Sequence, residues 1–266
     1  MREIIFLRRY KIFTAVLILL ILVLTCSAES AINGKEFYRS LSKRLSKNRN
    51  DYPNLSDNEF ANFREVAVTG IAKGKLYRSS SPISTWGNRN VIADKAIMSA
   101  GVKTIINLAD SDEGMKKHKG YEGSYYSQQK VAGLNVNTKY KSRRYRNGLA
   151  NGIHFMAENE PPYLVHCSLG KDRAGFTCAV IECLAGAELD EVIADYMISF
   201  YNYFGILPGT DEYNFVANAE IYRFLCEAFG LESLEGVNLS DSAERYLRKI
   251  GVSASDIESV KRKLGR

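Results

Sequence analysis

Histidine is scarce in this chain, and with it the usual means of holding a transition metal. The three histidines, His118, His154 and His166, form no metal-ligand spacing, so no metal site is expected. Charge of one sign is lacking too, because 36 Lys and Arg stand against 30 Asp and Glu. Four of the basic residues (Arg2, Arg8, Arg9 and Lys11) sit at the extreme N-terminus, which leaves the rest only mildly basic. No nucleic-acid motif accompanies that small excess, so nucleic acid is not an expected partner. No Gly-x-Ser-x-Gly elbow is present, and Gly170-Lys171 runs into Asp172 with no glycine five residues before Gly170. These absences exclude a serine-hydrolase elbow and a Walker loop. Internal repeats and low-complexity tracts are also missing.

Long apolar runs are lacking as well. The stretch from Ile12 to Leu24, broken only by Thr14, falls short of the ~20 residues a membrane-spanning helix needs. Basic residues precede it, and Thr25-Cys26-Ser27-Ala28 follows with the small residues of a cleavage site. That order reads as a secretory signal over residues 1–28 and implies a secreted or extracytoplasmic protein. The alternatives are an uncleaved membrane anchor and a lipid-modified Cys26, for which Thr25 is an unsuitable predecessor. Residues 29–60 are polar and charged and read as a linker or loosely packed segment. Residues 61–266 are then one domain, long enough for a sizeable core.

Only four cysteines follow the leader: Cys167, Cys178, Cys183 and Cys226. Cys178 and Cys183 are five apart on a predicted helix, a rise of about 7.5 Å onto different faces, beyond comfortable bridging. They read, with Cys226, as buried small apolar residues. Val91 to Ala100 is a predicted helix closed by Gly101, and Val102–Leu108 and Lys130–Asn137 are predicted strands. Tyr145, Leu149, Ile153 and Met156 fall at helical spacing, predicting a helix over 142–159 that ends before Pro161-Pro162. Tyr163–His166 is a strand with another helix after it. Such alternation predicts an α/β sandwich with a mostly parallel central sheet flanked by helices. From Asp190 onward the chain reads as helical, with Asp190, Asp211, Asp241 and Ser253 as N-caps. The aromatics Tyr196, Phe200, Tyr201, Tyr203 and Phe204 read as core, with a cleft lining as the alternative.

The segment His166-Cys167-Ser168-Leu169-Gly170-Lys171-Asp172-Arg173-Ala174-Gly175 carries the chemistry. Strand, tight loop and helix N-terminus turn backbone N–H groups into an anion cradle. A cysteine at its mouth favours the thiolate, and an arginine at its end offers a planar fork for two phosphate oxygens. These parts fit cysteine-dependent phosphate-ester hydrolysis.

The same run resembles the signature of the protein tyrosine phosphatase superfamily, in its bacterial tyrosine- and lipid-phosphatase branch. Asn62-Phe63-Arg64-Glu65-Val66 and Gly74-Lys75-Leu76-Tyr77-Arg78-Ser79-Ser80-Ser81-Pro82 resemble that branch's opening segment, and Ala243–Ser253 its closing helices. The resemblance implies a tyrosine-phosphatase-like sandwich with a helical C-terminal part. It implies Cys167 as nucleophile, Arg173 as phosphoryl ligand, and Ser168, Leu169, Gly170, Lys171 and Ala174 as the phosphate-binding loop. It gives His166 an orienting role.

The proton donor is less settled. No Asp or Glu lies between Glu122 and Glu158, where many relatives carry a mobile-loop aspartate. The resemblance to the lipid-phosphatase-like branch, which uses the aspartate inside the signature, implies Asp172 as the acid, with Asp110 or Asp112 as alternatives. Lys171 implies additional phosphoryl groups, and Lys139, Lys141, Arg143, Arg144 and Arg146 extend a basic rim or form a solvated face. Ala174 departs from the family, where a Ser or Thr steadies the departing cysteine. The expected activity is a phosphomonoester hydrolase, foremost a protein-tyrosine phosphatase, with a phosphorylated protein as partner. The alternatives are a phosphoinositide or inositol polyphosphate phosphatase, or a phosphate-binding module with weak catalysis. No cofactor is implied.

Overall fold

The computed structural model describes residues 32–265. The predicted signal over 1–28 lies outside the described residues. Two units are distinguished, with the division after Ser42. The described part of the first is the helix Gly34–Arg44, whose last two residues belong to the second.

The second unit is built on a five-stranded sheet. Its strands are β1 (Arg64–Glu65), β2 (Leu76–Ser79), β3 (Thr104–Asn107), β4 (Lys130–Gly133) and β5 (Tyr163–His166), in the order β1-β2-β5-β3-β4. Only β1 runs antiparallel; β2, β5, β3 and β4 are parallel neighbours. β3 and β5 are buried along their whole length, which suits their near-continuous apolar sequence, because helices cover both faces of such strands. In register, His166 lies between Ser79 and Asn107. The loop leaving β5 therefore emerges between the ends of β2 and β3, where parallel sheets place their ligands.

The helix Asp172–Ala185 that follows is buried from Ala174 through Leu184, so its sequence shows no polar stripe. Arg143–Glu158 buries Tyr145, Leu149, Ile153 and Met156 on one side, as their spacing predicts. Gly148 lies on that side as well. A Cβ there would meet Val136 Cγ1 at 2.2 Å, so only glycine permits the approach.

Boundaries differ from the sequence reading where caps are concerned. Thr210, Glu188 and Asn238 occupy the N-cap positions, and Asp211, Asp190 and Asp241 lie in first turns. An N-cap oxygen must sit about three residues before the amide it accepts from, as Thr210 Oγ1 does for Tyr213 N. The acidic residues instead complement the helix dipole. The helical stretch that follows Asp211 is divided by a π-turn at Asn218–Tyr222. β4 ends at Gly133 rather than Asn137, because Asn135 turns into the left-handed region at φ +43°.

Candidate active site

The loop from Cys167 to Lys171 owes its shape to where its carbonyls go. Ser168 O accepts from Ser81 N at 3.2 Å. Leu169 O accepts from Asn62 Nδ2 at 3.0 Å and Tyr203 Oη at 2.6 Å. Gly170 O and Lys171 O accept from Arg78 Nη2 at 2.9 and 3.2 Å. Four consecutive carbonyls thus point outward. In a trans peptide the next N–H points the opposite way, so the amides of Leu169, Gly170, Lys171 and Asp172 turn to the inside of the loop. Gly170 makes the bend at φ +70°, and a Cβ on it would meet Ser79 O at 2.1 Å. Only glycine fits there.

The outer anchors are themselves held. Arg78 is fully buried and pairs with Asp195, to which Arg64 also donates at 2.7 Å. Burial alone would raise the Asp195 pKa, but the two guanidinium groups outweigh it and hold the carboxylate at about 2. Asn62, in the left-handed region at φ +51°, accepts hydrogen bonds from Arg64 and Asn202 on its side-chain Oδ1. Asn62, Arg78, Ser81 and Asp195 were given no role from the sequence, and Tyr203 was read there as core or cleft lining. Asn62 and Arg78–Ser81 lie in matching opening segments, and a lone aspartate amid Val192, Tyr196 and Met197 was the available sign for Asp195.

Cys167 sits at the floor of the loop with 2% of its surface exposed. It lines a cleft of about 390 Å³ together with Ser84, Trp86, Thr138, Ser168, Leu169, Asp172 and Arg173. The Arg173 guanidinium donates to Leu108 O and Val136 O, each at 3.2 Å, and to Ser168 Oγ at 2.9 Å. Those bonds fix its plane against the ends of two segments. Cys167, Arg173 and the loop that carries the inward amides therefore border one cleft.

A model of the tyrosine phosphatase family matches residues 58–266. The chain belongs to that family. It is a cysteine-dependent phosphatase with the family's α/β architecture. No curated protein matches it in sequence. Among solved structures, the core catalytic domain of a PP-IP phosphatase from S. cerevisiae, in complex with citrate, is similar at 17% identity and a TM-score of 0.38. That match covers 65% of this chain and 95% of the yeast domain.

The remaining predicted residues of the phosphatase divide by position. His166 is fully buried, with Nε2 3.1 Å from Tyr126 Oη and Nδ1 3.3 Å from Cys167 O. Tyr126 Oη in turn accepts from Asn107 Nδ2 at 3.0 Å. Burial pushes the His166 pKa down to about 4, so the ring is neutral and orients the Cys167 peptide. Asp172 borders the cleft, and its Oδ1 accepts from Lys171 Nζ at 2.5 Å.

Asp110 does not border the cleft. It is 3.0 Å from His118 Nε2 and accepts from Asn107 Nδ2. Asp112 accepts from Gly133 N at 2.8 Å. Lys171 is turned away as well, its ammonium 4.3 Å from the Phe200 ring centroid. Burial disfavours that charge, but Asp172 and Glu220 outweigh it and keep the pKa above the ordinary value. Phe200 and Tyr203 are core residues, consistent with their expected role, although Tyr203 also anchors the loop. Of the basic run, Lys141 and Arg146 line a separate cavity of about 210 Å³ with Tyr140, Phe224 and Tyr246. Cys178, Cys183 and Cys226 are buried free thiols. Among the described residues, no three metal-ligating side chains come together.

Proposed function

We propose that this phosphatase is extracytoplasmic and acts on phosphotyrosine in proteins. The observation that carries the reading is the meeting of Cys167, Asp172 and Arg173 in a single cleft whose other walls (Ser84, Trp86, Thr138, Ser168 and Leu169) are uncharged. Such a cleft suits one phosphoryl group on an uncharged aromatic body. A substrate with several phosphoryl groups needs further cations, and Lys171 is committed to Asp172 and Phe200. The basic, apolar and small-residue order of the N-terminus supports export.

In this reading the Cys167 sulfur attacks phosphorus while the ester P–O bond breaks. Arg173 and the inward amides hold the three equatorial oxygens as charge spreads over them. Asp172 gives its proton to the departing phenolate oxygen. Water then attacks the phosphocysteine, losing a proton to the Asp172 carboxylate, and the Cys167 thiolate leaves as inorganic phosphate forms. The test compares kcat/KM on phosphotyrosine peptides with inositol phosphates and phosphoinositide vesicles. A preference for the peptides of at least about tenfold is expected. The reverse order overturns the substrate assignment and leaves the cysteine chemistry standing.

A further inference from the structure

The chain has one tryptophan, and it stands at the mouth of the catalytic cleft. Trp86 is 47% exposed there, so its ring is open to solvent at the cleft. Nor is it loosely presented. Gly87 and Asn88 both take left-handed conformations, at φ +88° and +55°, which turns the chain sharply after the ring. Asn88 N bonds Thr85 O at 3.2 Å across that turn.

Beneath it, Arg89 is only 2% exposed and donates to Gly87 O at 3.1 Å and Phe60 O at 2.8 Å. Its guanidinium also lies 4.1 Å from the Phe60 ring centroid. Above it, the Lys47 ammonium is 4.8 Å from the Trp86 ring centroid. The indole is thus gripped by a cation and carried on a braced turn, while the cleft it borders ends at Cys167. A rigid aromatic ring beside a phosphate cradle is complementary to the planar ring of an aryl phosphate.

We infer that Trp86 is a specificity-determining residue, whose indole packs against the aromatic ring of an aryl phosphate as its phosphoryl group reaches Cys167. This inference rests on the phosphotyrosine reading above and assigns the residue that would produce it. An alkyl phosphate offers no ring to the indole, so selectivity between the two classes is where Trp86 acts.

The test uses the full chain and two substrates, a phosphotyrosine peptide and an alkyl phosphomonoester. In Trp86→Ala the ratio of aryl to alkyl kcat/KM is expected to fall about tenfold, with the loss mostly in KM. Trp86→Phe is expected to recover most of that ratio, because a ring is restored. A second readout needs no turnover. In Cys167→Ser, titration with phosphotyrosine should change the emission of the single tryptophan, whereas inorganic phosphate should leave it within a few per cent. An unchanged aryl-to-alkyl ratio in Trp86→Ala, or unaltered emission on phosphotyrosine binding shown by calorimetry, overturns the role of Trp86. If the wild type itself prefers inositol phosphates to phosphotyrosine, the substrate reading fails and this inference falls with it. The two failures are told apart by the wild-type panel alone.

Discussion

Arg78 reaches across 92 residues of chain to donate to the Gly170 carbonyl at 2.9 Å, and the same guanidinium nitrogen also serves Lys171 O. A fully buried arginine therefore holds the outer face of the phosphate loop, while Asp195 neutralises it from behind. The charge that shapes the loop is not the Arg173 guanidinium that borders the cleft.

Arg78→Lys should keep the positive charge but lose the fork that spans two carbonyls and Asp195. We expect about 1–3 kcal/mol of destabilisation, which at this size is roughly 2–12 °C in Tm. Activity should fall further than stability explains, with kcat at 25 °C down about tenfold in protein that is still folded. Thermal melts and kinetics on one preparation check this; an unchanged kcat would mean the loop keeps its shape without the anchor.

Asp172→Asn should remove the proton for the leaving oxygen while leaving the cleft's outline intact. The loss in kcat is expected to be on the order of 10²–10³ for an unactivated phenol. It should be much smaller for an aryl ester whose leaving group is already acidic, since that group departs without a proton. Measuring kcat against leaving-group pKa gives the decisive slope. A flat difference between variant and wild type would transfer the acid role elsewhere.

Ala174 is fully buried just after Arg173, where the family carries a hydroxyl. Thr177 cannot readily replace it, because its Oγ1 is 2.7 Å from Tyr145 Oη. Ser168 borders the cleft, but its hydroxyl faces Arg173. Breakdown of the phosphocysteine should therefore be slow, giving a burst of leaving group equal to the enzyme and then a slower steady rate. Ala174→Ser should raise kcat, by roughly tenfold or about 1.4 kcal/mol of barrier, and shrink the burst. Rapid-quench kinetics reads both quantities, and a wild type with no burst defeats the expectation.

His166 is neutral in the folded protein because burial lowers its pKa to about 4, against about 6.5 in an unfolded chain. Between those values the unfolded chain binds a proton that the folded chain refuses, so acidification favours unfolding. The contribution is fully present above about pH 6.5 and is lost progressively toward pH 4, by roughly 3 kcal/mol in all. Denaturant unfolding from pH 7 to pH 4 should show a shallower decline for His166→Gln than for wild type. Parallel declines would mean that His166 is already solvated.

Much of this was written in one short stretch of chain. Tyr163–His166 announces a buried strand by its apolar run, and Gly170 and Gly175 announce a tight loop entering a helix, because these are local preferences of backbone and burial. The chemistry of Cys167, Asp172 and Arg173 follows from residue type and a spacing of a few residues, which the loop cannot change. The helix limits were readable to within a few positions. The caps were misplaced at Asp190, Asp211 and Asp241, because a carboxylate suits both a cap and a first turn.

What the linear order could not decide was which side chains share a space. Lys171 is adjacent in sequence to Asp172 and looked like a second phosphate ligand, yet the aromatic shell of Phe200 claims its ammonium. Trp86 lies 81 residues before Cys167 and carried no motif, and only the closing of β2 beside β5 brings both to one cleft. Asn62, Arg78 and Tyr203 hold the loop from three separate segments of the chain. Local sequence placed Cys167, Asp172 and Arg173 within one short loop. Long-range packing decided which way the loop's amides face, since outward carbonyls need partners that lie far away in the chain.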